Sequence, residues 1–122
     1  IATRESSAPE EYKAMIVEGT AADVTYTDGV NGMPAMWLKA SLRANGLDPD
    51  KLPTPLKRGI EHLPAGALPW KTVWSAGQGI GLIHDVPSVA ELVRRLQSEY
   101  VAACSTPDMA SAAMAAMHSG AR

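Results

Sequence analysis

Residues 74–93 read W-S-A-G-Q-G-I-G-L-I-H-D-V-P-S-V-A-E-L-V, a glycine-rich loop that leads into a helical pattern. Glycines at positions 77, 79 and 81 let the backbone come close to a ligand and aim its N–H groups at an anion or a carbonyl oxygen. Ser75 and Gln78 add side-chain hydrogen-bonding groups. The spacing is neither the dinucleotide fingerprint nor a Walker loop, because the glycines alternate and no Gly-Lys-Ser/Thr follows. The segment predicts either a ligand-binding loop or a flexible strand-to-helix turn.

The residues after this loop predict an amphipathic helix over 88–103. Ser88 is placed to cap its N-terminus, and Glu91 stands three positions on, as in a capping box. Apolar side chains recur at helical spacing along one face: Val89, Leu92, Val93, Leu96 and Tyr100. The tail over 105–122 is rich in Ala and Met, and we expect it to be frayed or loosely docked.

Upstream of the loop, the pattern predicts two more helices and a short strand. Ser7 and Glu10 have capping-box spacing, so a helix is expected over 8–18, with a stop at Gly19. The run V-T-Y-T at 24–27 predicts a strand. A second helix is expected from Pro34, near its first turn, to the Asn-Gly pair at 45–46.

Composition excludes several classes of protein. The chain has 122 residues, 11 Lys+Arg against 13 Asp+Glu and 46% hydrophobic residues, which fits one ordinary soluble domain. The balanced charge gives no basic surface for nucleic acid, and no apolar run is long enough to cross a membrane. The single cysteine, Cys104, excludes an internal disulfide framework and fits the cytoplasm. Because the chain begins at Ile1 rather than Met, we expect it to be part of a longer protein.

Few residues have the spacing of a catalytic site. His62, His84 and His118 share no helix face with a second ligand, so no metal site is predicted. His84 beside Asp85 has the chemistry of a general base, but such a pair is also typical of a solvated surface. Tyr26, on a short strand before two turns, is placed to line a pocket.

Four segments together resemble a known family. They are I-A-T-R-E-S at 1–6, V-T-Y-T-D-G-V-N-G-M-P-A at 24–35, G-L-D-P-D at 46–50 and the 74–93 stretch quoted above. In this combination, residues 1–102 resemble the C-terminal part of nitronate monooxygenases, also called 2-nitropropane dioxygenases. The Ser-Ala-Gly-Gln segment and the helix after it are the most specific part of the resemblance.

The resemblance implies an α/β fold, the C-terminal fragment of an FMN-binding (β/α)8 TIM barrel with part of its smaller lid domain. As it stands, the chain would be mostly helical with short strands. The implied organisation is a barrel helix after strand 8 over 1–20 and a lid-domain segment over 21–73. A flavin-side loop and the closing barrel helix then occupy 74–104, before the tail over 105–122.

The implied activity is oxidation of alkyl nitronates with O2 to carbonyl compounds and nitrite. Ser75, Gly77 and Gln78 would contact FMN, and Tyr26 would line the substrate pocket. The family's catalytic histidine falls outside this chain, so none is assigned here. The partner implied is the N-terminal portion of the barrel, and we expect the fragment alone to be inactive.

Two alternatives remain open at the level of sequence. Flavin-dependent enoyl-ACP reductases have a related barrel and a similar Ala-Gly-Gln segment. A non-catalytic helical binding module would instead use the proline-rich stretch over 47–69 and the apolar helix stripe as its interaction surface.

Overall fold

The computed structural model describes residues 1–54 and 58–105. The chain divides into two compact units, Ile1–Val86 and Pro87–Arg122. The helices and strands, in chain order, are α1 (Glu10–Glu18), β1 (Val24–Thr27), β2 (Ala35–Leu38), α2 (Lys39–Ala44) and α3 (Val89–Ser105). Short 3₁₀ helices occupy Ala21–Asp23 and Gln78–Leu82. The described residues thus form a small mixed α/β structure, as expected for the fold class.

The sheet of the first unit is an antiparallel hairpin of β1 and β2. Its register pairs Val24 with Leu38 and Thr27 with Ala35. On the far side of β2, Trp37 forms a single antiparallel bridge with Ser75, and the Leu38 amide donates to the Trp74 carbonyl at 3.0 Å. The start of the glycine-rich loop therefore extends the sheet by one short strand-like segment.

The hairpin separates two apolar clusters. Successive strand residues point to opposite faces, so Trp37 and Leu38 enter different clusters although both are almost fully buried. The first cluster contains Tyr12, Ile16, Val24, Leu38 and Ile80. The second contains Val30, Trp37, Leu42, Ala67 and Val73. Helix α1 thus covers one face of the hairpin, and α2 with the segment after it covers the other.

Helix α1 confirms the predicted helix over 8–18, but its start differs from the prediction. The helix begins at Glu10 after Pro9, and no side chain caps it. The capping role predicted for Ser7 is therefore wrong, because Pro9 occupies the N-cap position and offers no side-chain acceptor. Lys13 is 4% exposed, and its ammonium pairs with the Glu10 carboxylate at 2.8 Å.

The prediction of the second helix is wrong for its first half and confirmed for its end. Residues 35–38 form β2 instead, and α2 begins only at Lys39. The spacing of Trp37, Leu38 and Leu42 suits a helix, but pairing with β1 outweighs this preference and buries both faces of the strand. The predicted ending is confirmed, since Asn45 is the C-cap and Gly46 takes the left-handed conformation at φ +75°.

Helix α3, in the second unit, matches the predicted helix and its cap. The Ser88 amide donates to the Glu91 carboxylate at 2.8 Å, and the Glu91 amide donates to the Ser88 hydroxyl at 3.2 Å. No residue of α3 is buried, and its stripe residues Val93 and Tyr100 are 46% and 72% exposed.

Apart from Ser105, the predicted tail lies outside the described residues. Within residues 1–54 and 58–105, no helix has both the length and the apolar character needed to cross a bilayer.

Candidate functional site

The predicted site residues Ser75, Gly77 and Gln78 lie in one loop of the first unit. We call residues 75–79 the arch. It begins on the sheet, since Ser75 bridges to Trp37 of β2, and it continues into the 3₁₀ helix that starts at Gln78. Its first residue is half-buried, so the sheet holds one end of the arch.

Tyr12 of α1 holds the same end from the other side. Its hydroxyl donates to the Ser75 carbonyl at 2.5 Å. Its ring stacks on Trp74, with centroids 5.0 Å apart and an angle of 8° between the planes. Offset-stacked aromatic pairs contribute about 0.5–1.5 kcal/mol beyond the area they bury. Helix α1 is thereby joined to the arch by a hydrogen bond and a ring contact at adjacent residues.

Ile80 holds the other end. Its side chain is 3% exposed and belongs to the first cluster with Tyr12 and Ile16. Its Cδ1 lies 2.8 Å from where a β-carbon at Gly19 would be, so the glycine that ends α1 makes room for it. The Ile80 amide donates to the Gly77 carbonyl at 3.2 Å, and this hydrogen bond fixes the turn over 77–80.

Between these two ends, the arch is open. Gly77, Gln78 and Gly79 are exposed, and a methyl group added at either glycine would meet no atom within 4 Å. Exposed peptide groups and a side-chain amide can donate to and accept from the polar edge of a ligand. No group of the arch ionises near neutral pH, so its chemistry is binding and orientation rather than proton transfer.

Tyr26 lies on a different face of the sheet from Ser75. Its partner across the hairpin is Met36, whereas Ser75 lies opposite Trp37, the partner of Thr25. Neighbouring rows of a sheet point to opposite faces, so the two side chains leave the sheet in opposite directions. Tyr26 is 71% exposed. Its role in a substrate pocket stays a prediction.

The described histidines lie outside the arch. His62 approaches the Gly29 carbonyl, with Nε2 and the oxygen 3.0 Å apart, and His84 is exposed. His118 lies outside the described residues. Within residues 1–54 and 58–105, no three His, Cys, Asp or Glu side chains are grouped to hold a metal ion.

Tyr12 is an ionisable group in direct contact with the arch. Burial raises the pKa of its phenol, and the O–H donates to the Ser75 carbonyl, a hydrogen bond that the phenolate cannot make. A raised pKa means that the folded state favours the neutral phenol. Its stabilising effect is therefore complete below the unfolded-state pKa of about 10 and is lost as the pH rises through the higher folded-state pKa.

We therefore expect the free energy of unfolding to fall more steeply above pH 10 in the native chain than in Tyr12→Phe, which has no phenol to ionise. Urea unfolding at pH 8 to 11, followed by circular dichroism, measures this difference. Parallel pH profiles for the two chains would contradict the assignment.

Tyr12 and Trp74 are the residues of this site that sequence reasoning missed. Tyr12 has the spacing of an apolar helix face, and a tryptophan such as Trp74 is more typical of a packed core than of a binding site. Both residues do pack in the core. They are 62 residues apart in sequence, and nothing in the local pattern around either one indicates that their rings stack beside the arch. The segment 74–77, W-S-A-G, carries a partial signal, because an aromatic residue directly before a glycine-rich loop can anchor it.

Comparison with known proteins gives a likeness of fold. No protein-family model matches the chain, and no curated protein is significantly similar to it. A solved structure of a mutant of FabK from Thermotoga maritima matches 84% of this chain at 23% identity, with a TM-score of 0.53. The chain spans about a third of the length of that structure, 31%. Its relation to FabK is therefore that of a distantly related fold.

Proposed function

We propose that the chain is the C-terminal part of an FMN-dependent (β/α)8-barrel oxidoreductase, a nitronate monooxygenase that converts alkyl nitronates and O2 to carbonyl compounds and nitrite. The observation that carries this proposal is the arch, fixed at both ends and open between them. It lies in the segment for which the resemblance implies contact with the flavin. The fold likeness to FabK over 84% of the chain supports the barrel assignment.

The arch suits the edge of a flavin. The ring system carries carbonyl oxygens and ring nitrogens, which peptide groups and the Gln78 amide can hydrogen-bond. Open space beside Gly77 and Gly79 allows a flat ring to approach the backbone. In this proposal Ser75, Gly77 and Gln78 hold the flavin edge. FMN supplies the redox chemistry when bound, and the protein orients substrate and excludes water.

The proposed partner of the chain is the N-terminal portion of the barrel. A (β/α)8 barrel takes about 250 residues, and this chain has 122. Helix α3 supports the proposal, because it has a well-formed cap and an apolar stripe, yet none of its residues is buried. We expect nitronate turnover only when the two portions are together.

An enoyl-ACP reductase activity is the second candidate. The fold likeness to FabK is compatible with it, and the Ala-Gly-Gln segment suits both activities. The two activities are distinguished by the substrate that each one consumes. Oxygen uptake with a nitronate supports the monooxygenase, whereas NAD(P)H consumption with an enoyl thioester and indifference to nitronates supports the reductase.

Substitution of Gly77 by alanine separates binding from stability. The backbone at Gly77 has φ −84° and ψ 166°, which alanine adopts freely, so we expect the free energy of unfolding to stay the same or rise by about 0.4–1 kcal/mol. The added methyl group enters the space proposed for FMN, so we expect FMN affinity to fall by about tenfold or more.

Titration of FMN by fluorescence quenching measures the affinity, with each substitution made in the product of the complete reading frame that encodes this chain. Ser98→Ala, an exposed substitution in α3, is the matched control and should change neither stability nor affinity. Equal FMN affinity of the native longer protein and its Gly77→Ala variant would contradict contact between the flavin and this glycine.

A further inference from the structure

We propose that Tyr12 is a positioning residue for the arch, whose hydroxyl and ring hold the peptide groups after Ser75 in the orientation that a ligand meets. The identity of the ligand as a flavin rests on the proposed function above. The positioning itself rests on contacts within the first unit.

The first step is the direction of the Ser75 carbonyl. Ser75 lies opposite Trp37 in the bridge, where the hydrogen bond joins their neighbours, Leu38 and Trp74, and the Ser75 carbonyl accepts the Tyr12 hydroxyl. In a planar trans peptide the C=O and the following N–H point in opposite directions. Fixing the Ser75 carbonyl therefore also fixes the amide of Ala76, which leads into Gly77.

The second step is that the Tyr12 ring is itself held. It is 9% exposed within the first cluster, and it stacks on Trp74 at 5.0 Å. The hydroxyl therefore cannot swing away from Ser75 without breaking the ring contact. Supporting residues commonly hold a binding group in place through short hydrogen bonds from rigid donors.

The third step is that the arch has few other restraints. Ala76 is half-buried against the first cluster, but from Gly77 to Gly79 no residue is buried, and the two glycines contribute no side chains that could pack. Glycine-containing backbone is costly to order. Loss of the Tyr12 hydroxyl is therefore expected to loosen this segment while leaving both apolar clusters intact.

Hydrogen exchange of individual amides in Tyr12→Phe tests the inference, because phenylalanine keeps the stacked ring and removes only the hydroxyl. The reporting amides are those of Leu38, which donates to Trp74, and Ile80, which donates to Gly77. We expect both to exchange about three- to tenfold faster than in the native chain. The amides of Leu47 and Val73, bonded to Leu42 and Leu68, should keep their rates.

Tyr100→Phe is the matched control, since Tyr100 is 72% exposed in α3, and it should change none of these rates. Unchanged exchange at Leu38 and Ile80 in Tyr12→Phe would overturn the inference, as would an equal rise at all four amides, which would indicate a general loss of stability.

FMN titration of the product of the complete reading frame, with and without Tyr12→Phe, separates this inference from the proposed function. Weaker FMN binding by Tyr12→Phe, together with the local rise in exchange, supports both. If exchange rises locally but the product of the complete reading frame that encodes this chain does not quench FMN, the positioning role stands and the flavin assignment loses its support.

Discussion

Substitution of Trp37 by alanine is expected to lower the free energy of unfolding by about 3–5 kcal/mol, the usual cost of removing a large buried aromatic side chain. Trp37 is fully buried, at 0% exposure, in the cluster formed with Val30, Leu42 and Val73. Its backbone also lies between β1 and Ser75, and the cavity would open in the second cluster. Single domains are stable by only about 5–15 kcal/mol in total.

Urea unfolding followed by far-UV circular dichroism measures the loss without depending on tryptophan fluorescence. Leu82→Ala is the control, because Leu82 is 83% exposed and its loss should cost no more than about 0.5 kcal/mol. Similar losses in the two variants would contradict the assigned core.

The indole nitrogen of Trp37 leads us to expect a difference in stability between two substitutions at this position. It is buried and has no hydrogen-bond partner among residues 1–54 and 58–105. Trp37→Phe keeps much of the ring and removes this unpaired donor, so it should be less destabilising than Trp37→Ala.

Substitution of Gly29 by alanine has the second largest expected effect. A β-carbon there would lie 2.6 Å from the Pro53 carbonyl oxygen and 2.7 Å from the Leu52 Cβ. Neither atom can rotate away, because both are fixed to the backbone. We expect the loop between β1 and β2 to be displaced from the segment at 52–53, at a cost of about 1–3 kcal/mol.

The same urea titration measures this cost, with Gly77→Ala as the matched control. Both variants add one methyl group at an existing glycine, but only the methyl group at Gly29 meets neighbouring atoms. Equal stability of the two variants would show that the close approach at Gly29 is not a feature of the folded chain.

The parts of the fold that sequence predicted are those with local causes. The cap of α3 depends on Ser88 and Glu91 three positions apart, and the strand at 24–27 depends on β-branched and aromatic side chains. Strand β2 was predicted as part of a helix because its identity depends on pairing with β1, which is not visible in residues 35–38 alone. The start of α1 was wrong for a local reason, since Pro9 takes the place of a capping side chain.

The candidate site divides in the same way. The glycines that mark the arch are visible in sequence, because glycine is needed where backbone is exposed to a ligand. The residues that hold the arch are not visible, since Tyr12 reaches Ser75 only through the packing of α1 on the sheet. Sequence therefore indicated where a ligand could bind, and the structure adds what keeps that segment in place.

The most direct test of the central claim is oxygen uptake with an alkyl nitronate, measured with FMN present on two proteins. One is the 122-residue chain, and the other is the product of the complete reading frame that encodes it. We expect the longer protein to bind FMN and consume oxygen in a nitronate-dependent manner, and the 122-residue chain to show no uptake above FMN alone. Strong uptake by the short chain, or a longer protein that binds no flavin and leaves nitronates unchanged, would contradict the account.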